Sequence, residues 1–190
     1  MLLAAGSGAP SPWVRRFAGL VKPGGAVLDV ACGSGRHLRW LVTQGFAVTG
    51  LDRDAAALDA IAAQCPAAEL VTADIEAGPW PLPGRRFDAV VVTNYLWRAL
   101  LPQLRAALAP GGVLIYETFA TGQQTVGKPS RPEFLLQPGE LLQAFAGLRV
   151  VAYEDGFEAE TPRYVQRIVA VHAQAGPDKA PRYGLQGPAS

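Results

Sequence analysis

The sequence predicts an α/β protein: a three-layer sandwich on a seven-stranded, mostly parallel sheet with an antiparallel last strand. Three observations carry that expectation. Short apolar runs alternate with amphipathic helical segments along most of the 190 residues, the pattern of a parallel sheet covered on both faces. The final two apolar runs are joined by only a short polar connection, which permits a hairpin-like, antiparallel pairing and nothing else. Seventeen Lys and Arg stand against sixteen Asp and Glu, and 49% of residues are hydrophobic, so the chain can build one ordinary core and is no disordered polyelectrolyte.

The elements follow in order. Residues 11–21 (SPWVRRFAGLV) read as a short amphipathic helix, with Ser11 as cap, Pro12 in the first turn and Trp13, Phe17 and Leu20 on one face. Residues 26–30 (AVLDV) are a buried parallel strand. Residues 36–44 are a helix with Leu38, Leu41 and Val42 on one side, stopped by Gly45. A second strand covers 46–51, and Asp54 caps a helix over 55–64 that Pro66 closes. Strands follow at 69–72 and 87–93, a helix at 101–108, a strand at 113–118, a helix at about 138–145, and strands at 148–153 and 163–171. The domain is set at 11–175, with 1–10 and 176–190, rich in Gly, Pro and Ala, as loose termini.

In such sheets ligands bind beyond the carboxyl ends of the strands. The first of these ends reads Asp29-Val-Ala31-Cys32-Gly33-Ser-Gly35-Arg36-His37. Glycines there allow positive φ and bring backbone N–H groups close to a ligand. Asp52, nineteen residues after Gly33, ends the second strand, where a carboxylate can accept both hydroxyls of a ribose. The dinucleotide pattern GxGxxG fails, because Leu38 stands three residues after Gly35. Asp29, just before the loop, could face a cation. A nucleoside with a positive group and no pyrophosphate suits these residues, and S-adenosylmethionine (SAM) is such a ligand.

The motifs resemble those of the class I SAM-dependent methyltransferases. The first, acid-x-Gly-x-Gly-x-Gly, is Asp29-Val-Ala31-Cys-Gly33-Ser-Gly35, with Ala31 in place of the first glycine. The others are Thr49-Gly-Leu-Asp52, Val71-Thr-Ala-Asp74-Ile75, Phe87-Asp-Ala-Val-Val-Val-Thr-Asn94 and Leu108-Ala-Pro-Gly-Gly-Val-Leu-Ile. The first loop also resembles small bacterial tellurite-resistance-type enzymes. The resemblance implies a Rossmann-like sandwich, SAM as cofactor and methyl transfer to a small molecule. It implies that Asp29, Ala31, Gly33, Gly35, Asp52, Arg53, Asp74, Ile75 and Asn94 bind the cofactor: Asp29 at the methionyl end, Asp52 on the ribose, Arg53 over the adenine, Asp74 and Ile75 at its edge.

Acceptor-side expectations rest on position. Tyr95, Arg98 and Glu117 follow the ends of the fourth and fifth strands, with Tyr95 and Glu117 as weak candidates for a general base. The connection over 119–137, carrying Lys128 and Arg131, is expected to cover the acceptor together with the helix around Trp13 and Phe17. His37 reads as a helix-start contact, and Cys32 has nothing beside it that marks a nucleophile.

Tellurite, selenite, thiols and small organic acids all suit such a site. An NAD(P)-dependent oxidoreductase and a catalytically silent SAM binder are the rival readings. A net charge of +1 argues against nucleic-acid binding, rRNA and tRNA methylation included. Two cysteines make neither a disulfide scaffold nor a zinc site. The absence of a signal segment or a 20-residue apolar run predicts a cytoplasmic protein without a membrane partner.

Overall fold

A computed structural model describes residues 8–173 and 181–185. The strands are β1 (Ala26–Val30), β2 (Ala47–Asp52), β3 (Glu69–Thr72), β4 (Phe87–Thr93), β5 (Leu108–Phe119), β6 (Arg149–Glu158) and β7 (Arg163–Val171). They form one sheet in the order β3-β2-β1-β4-β5-β7-β6. The pairs from β3 to β5 are parallel, and β7 runs antiparallel to both β5 and β6, between which it is inserted. The expected sandwich is therefore present, with β7 as its reversed strand.

Both faces are covered. Alternation along the buried strands sends Val27, Ala89, Val91 and Ile115 to one face and Leu28, Val30, Val90 and Val92 to the other. The first face packs under α1 (Pro12–Phe17), α2 (Arg36–Thr43) and α3 (Ala55–Gln64), with Trp13, Phe17, Leu38, Leu41 and Ile61 in its core. The second packs under α4 (Leu101–Ala106), α5 (Glu140–Ala144) and the helix-free connection 73–86, with Leu104, Leu141, Phe145 and Tyr116 buried.

Several boundaries move for local reasons. The expected helix over 11–21 is α-helical only to Phe17 and finishes as a 3-10 turn over Ala18–Leu20, where Gly19 weakens the helix. α4 stops at Ala106 because β5 begins early, at Leu108. The register between β4 and β5 slips there, and a Cβ on Gly112 would sit 2.9 Å from the Phe87 carbonyl, so this bulge requires glycine. α5 is shorter than expected because Gly139, at φ +73°, stands at its start. β6 runs on to Glu158 as one arm of the hairpin with β7.

Of the termini expected to be loose, residues 1–7, 176–180 and 186–190 lie outside the described residues. Residues 181–185 are docked instead. Tyr183 packs on the first face with the Arg149 guanidinium 5.4 Å from its ring, and the Leu185 carbonyl accepts from Arg16 Nε at 3.0 Å. Among the described residues no helix is long and apolar enough to cross a membrane.

Candidate active site

The loop after β1 turns on three left-handed residues: Ala31 (φ +52°), Gly33 (+55°) and Gly35 (+75°). Ala31 thus holds the backbone geometry a glycine would take, at a cost of about 1 kcal/mol. The loop is tied to β2 at two points: Cys32 N–H donates to the Leu51 carbonyl at 3.1 Å, and Gly33 N–H donates to Asp52 Oδ2 at 2.7 Å. Leu38 does not hold the helix off the sheet. Gly50 makes room from the strand side, where a Cβ would lie 2.4 Å from Leu38 Cδ1.

The ends of β1 to β4 enclose a cavity of about 290 Å³ lined by Ala31, Asp52, Arg53, Ala73, Asp74, Ile75, Glu76, Asn94 and Tyr95. Six of the nine residues expected to hold the cofactor meet here. Asp29 stands near the end of β1, and Gly33 and Gly35 in the loop that follows it. Ala73 and Glu76 were not anticipated, having no mark beyond flanking Asp74 and Ile75. Asp52 Oδ1 also accepts the Asp54 N–H, at 3.0 Å. Asp74 Oδ1 accepts the N–H groups of Glu76 and Ala77 at 2.9 and 3.1 Å, which hold its carboxyl below the usual range. Asn94, at φ +54°, is a second strained residue on the wall.

Asp29 is 1% exposed, and its Oδ2 has no hydrogen-bond partner. Burial pushes its pKa up to about 7, against the Leu38 N–H and the Arg36 charge. A buried carboxylate oxygen with an open lone pair is the group a cation would satisfy. Burial and the charge of Asp29 push the Cys32 thiol up, leaving it inert.

Tyr95, expected on the acceptor side, lines this same cavity. Its hydroxyl is buried and its pKa is raised by burial and then by Glu76, so it stays a neutral phenol and offers a hydrogen bond, not a phenolate. Glu117 is not a free base either. It is 1% exposed, its Oε1 accepts from Ser11 Oγ at 2.8 Å and its Oε2 from Arg167 Nε at 2.5 Å. Ser11 N–H in turn donates to His37 Nε2 at 3.1 Å. That leaves Nδ1 as the protonated nitrogen, 3.3 Å from Thr93 Oγ1. Burial, then Arg36, pushes His37 down to about 3, so it is neutral and acts as the helix-start contact expected of it.

The remaining acceptor-side residues are placed differently from the expectation. Trp13 is core, edge-on to Phe17 at 4.7 Å between ring centres, because the apolar face of α1 must bury itself. Arg98 clamps the connection 119–137 to the start of α4, through Glu140 and the carbonyls of Glu133 and Leu135. Lys128 and Arg131 are exposed on that connection. Its ends pair with each other (Thr121 N–H to the Leu136 carbonyl, 2.9 Å), and Gln123 Oε1 fastens it to the Tyr164 N–H at 2.9 Å. None of its residues lines the cavity.

A family model described as a methyltransferase domain matches residues 27–112. A malonyl-[acyl-carrier protein] O-methyltransferase from Pseudescherichia vulneris is 30% identical over 178 residues, covering 82% of this chain and 69% of that protein. The chain belongs to the class I SAM-dependent methyltransferases. A trans-aconitate 2-methyltransferase from Paracidovorax citrulli is 44% identical over 96 residues, 46% of this chain. The match spans only 36% of that relative's length. Among solved structures, TehB from Haemophilus influenzae superposes with a TM-score of 0.68 at 17% identity, covering 81% of this chain and 59% of its own. A SAM-dependent methyltransferase from Mesorhizobium loti gives 0.65 at 18%, covering 80% and 92%. Both establish the fold alone.

The donor set of this methyltransferase fits SAM. Two strand-end carboxylates keep lone pairs for a nucleoside, and the orphan oxygen of Asp29 calls for a positive charge. The third glycine of a dinucleotide site is absent, its packing role taken over by Gly50.

Proposed function

We propose that the chain transfers a methyl group from SAM to a small-molecule acceptor by in-line displacement. The observation that carries this reading is the unpartnered Oδ2 of Asp29 beside a cavity walled by Asp52 and Asp74. When bound, SAM supplies a methyl group already activated by a sulfonium. The protein's task is alignment and exclusion of water. Asp29 takes the methionyl ammonium, Gly33 and Gly35 let the backbone approach, and Asp52 accepts from the ribose hydroxyls. Arg53 lies over the adenine, and Asp74 and Ile75 meet its edge. Asn94 would hold the cofactor from the β4 end of the cavity wall. The acceptor's nucleophilic atom takes the methyl as the carbon–sulfur bond breaks, and any proton it carries leaves to water or a neighbouring group. No side chain of this chain is assigned as base. A small acceptor is supported by the relative named for trans-aconitate.

Calorimetry with S-adenosylhomocysteine (SAH) and with NAD tests the reading. SAH should bind and NAD should not, and Asp52→Ala should weaken SAH by at least about 1 kcal/mol through the lost ribose acceptors. NAD binding without SAH binding would overturn it.

A further inference from the structure

The arginines around the acceptor end already have anionic partners. On β7, Arg167 commits each nitrogen to a different carboxylate: Nε to Glu117 at 2.5 Å, Nη1 to Glu154 at 3.1 Å and Nη2 to Glu158 at 2.5 Å. One row further out, Arg163 gives Nε to Glu158 at 2.5 Å and stands 3.7 Å from Glu117. Strand register builds this row. Glu117, Arg167 and Glu154 face one another across β5, β7 and β6, and Glu158 faces Arg163. Arg16 stands 3.6 Å from Glu154 on the other side, so three carboxylates meet three guanidiniums and the row carries no net charge. The row adjoins the cofactor side, because Ser11 links Glu117 to His37, and His37 reaches Thr93, next to Asn94 of the cavity. The other arginines expected to meet the acceptor are committed too: Arg98 to Glu140, and Arg131 to Glu133.

Resting on the methyltransferase reading, we infer that this site selects an acceptor that is uncharged where it meets the Glu117–Arg167–Glu158 row, and rejects polycarboxylates. An incoming carboxylate would find all three Arg167 nitrogens taken and the partly exposed Glu154 and Glu158 beside them. To gain a guanidinium it would have to break a partly buried pair and leave a carboxylate uncompensated, which costs more than an exposed contact returns. Lys128, exposed on the connection, is too well hydrated to offset that. Burial alone would raise Glu158, but Arg163 and Arg167 outweigh it and hold it below the ordinary carboxylate range, so its ion pairs stay intact at neutral pH. The acceptor class therefore departs from the one in the name of the trans-aconitate relative. The sequence similarity to that protein covers the cofactor motifs and does not carry its substrate across.

Glu158→Gln tests this. It keeps the size of the side chain and removes the anionic partner that Arg163 and Arg167 share. SAH is titrated first into wild type and variant, and trans-aconitate is then titrated into each SAH-loaded protein. The inference expects no measurable tricarboxylate binding by wild type and at least a tenfold gain in E158Q, with SAH affinity the same in both. Tricarboxylate binding by wild type as tight as by the variant would overturn it, as would the absence of any gain in a variant that still binds SAH. Failure of SAH to bind wild type would instead strike the methyltransferase reading, so the two failures are distinguishable.

Discussion

The two halves of the sheet build their ligand ends differently. From β1 to β4 the site is made by residues close in sequence: Gly33 and Asp52, which share a hydrogen bond, are 19 positions apart. From β5 to β7 it is made by remote partners: Ser11 and Glu117 are 106 positions apart, and Glu117 and Arg167 are 50. In the first half polar groups keep unused capacity, as at Asp29 Oδ2. In the second, the charged groups saturate one another. A surface with open valences is built to receive a ligand. A saturated row holds elements together and restricts what can approach.

Substitutions that affect one half and spare the other test this contrast. Glu117→Ala should have the largest effect. It strips buried partners from Arg167 and Ser11 and should cost about 3 kcal/mol in denaturant unfolding, while the folded protein binds SAH within about threefold of wild type. A parallel collapse of SAH affinity would merge the two halves. Asp29→Asn should act the other way. Burial raises the folded pKa of Asp29 from 3.8 to about 7, so its stabilising, protonated form is complete below about pH 4 and is lost as pH rises through about 7. Near pH 8 the Asn variant of the cofactor-free protein should therefore be more stable, by up to about 4 kcal/mol. It should also bind SAH about tenfold more weakly, having lost the partner for its ammonium. The smallest effect belongs to Arg98→Ala. Its half-exposed clamp on Glu140 should cost about 1 kcal/mol or less, with SAH affinity unchanged.

The same contrast decides what the sequence could reveal. The half that holds the cavity was legible because its geometry rides on local features: strand ends, glycines that must adopt positive φ, and an acid at the next strand end. Tyr95, expected beside the acceptor, lines the same cavity as Asn94, one residue before it. The half from β5 to β7 was not. Glu117 reads as an available carboxylate until β7 lays Arg167 opposite it, and that register is not written near Glu117. Trp13 and Arg98 have residue types found equally in pockets, cores and clamps, and only packing distinguishes these. The connection 119–137 announced itself by length, but its anchoring through Gln123 depends on Tyr164, 41 positions away.

The most direct measurement is the affinity of SAH for wild type and Asp29→Asn, by calorimetry, between about pH 5.5 and about pH 8. If the open valence of Asp29 receives the methionyl ammonium, wild-type affinity rises as that buried carboxyl ionises and levels off above about pH 7, while the variant stays weak and flat. Identical profiles for the two proteins would contradict the assignment of Asp29 and, with it, the account of this half as the cofactor site.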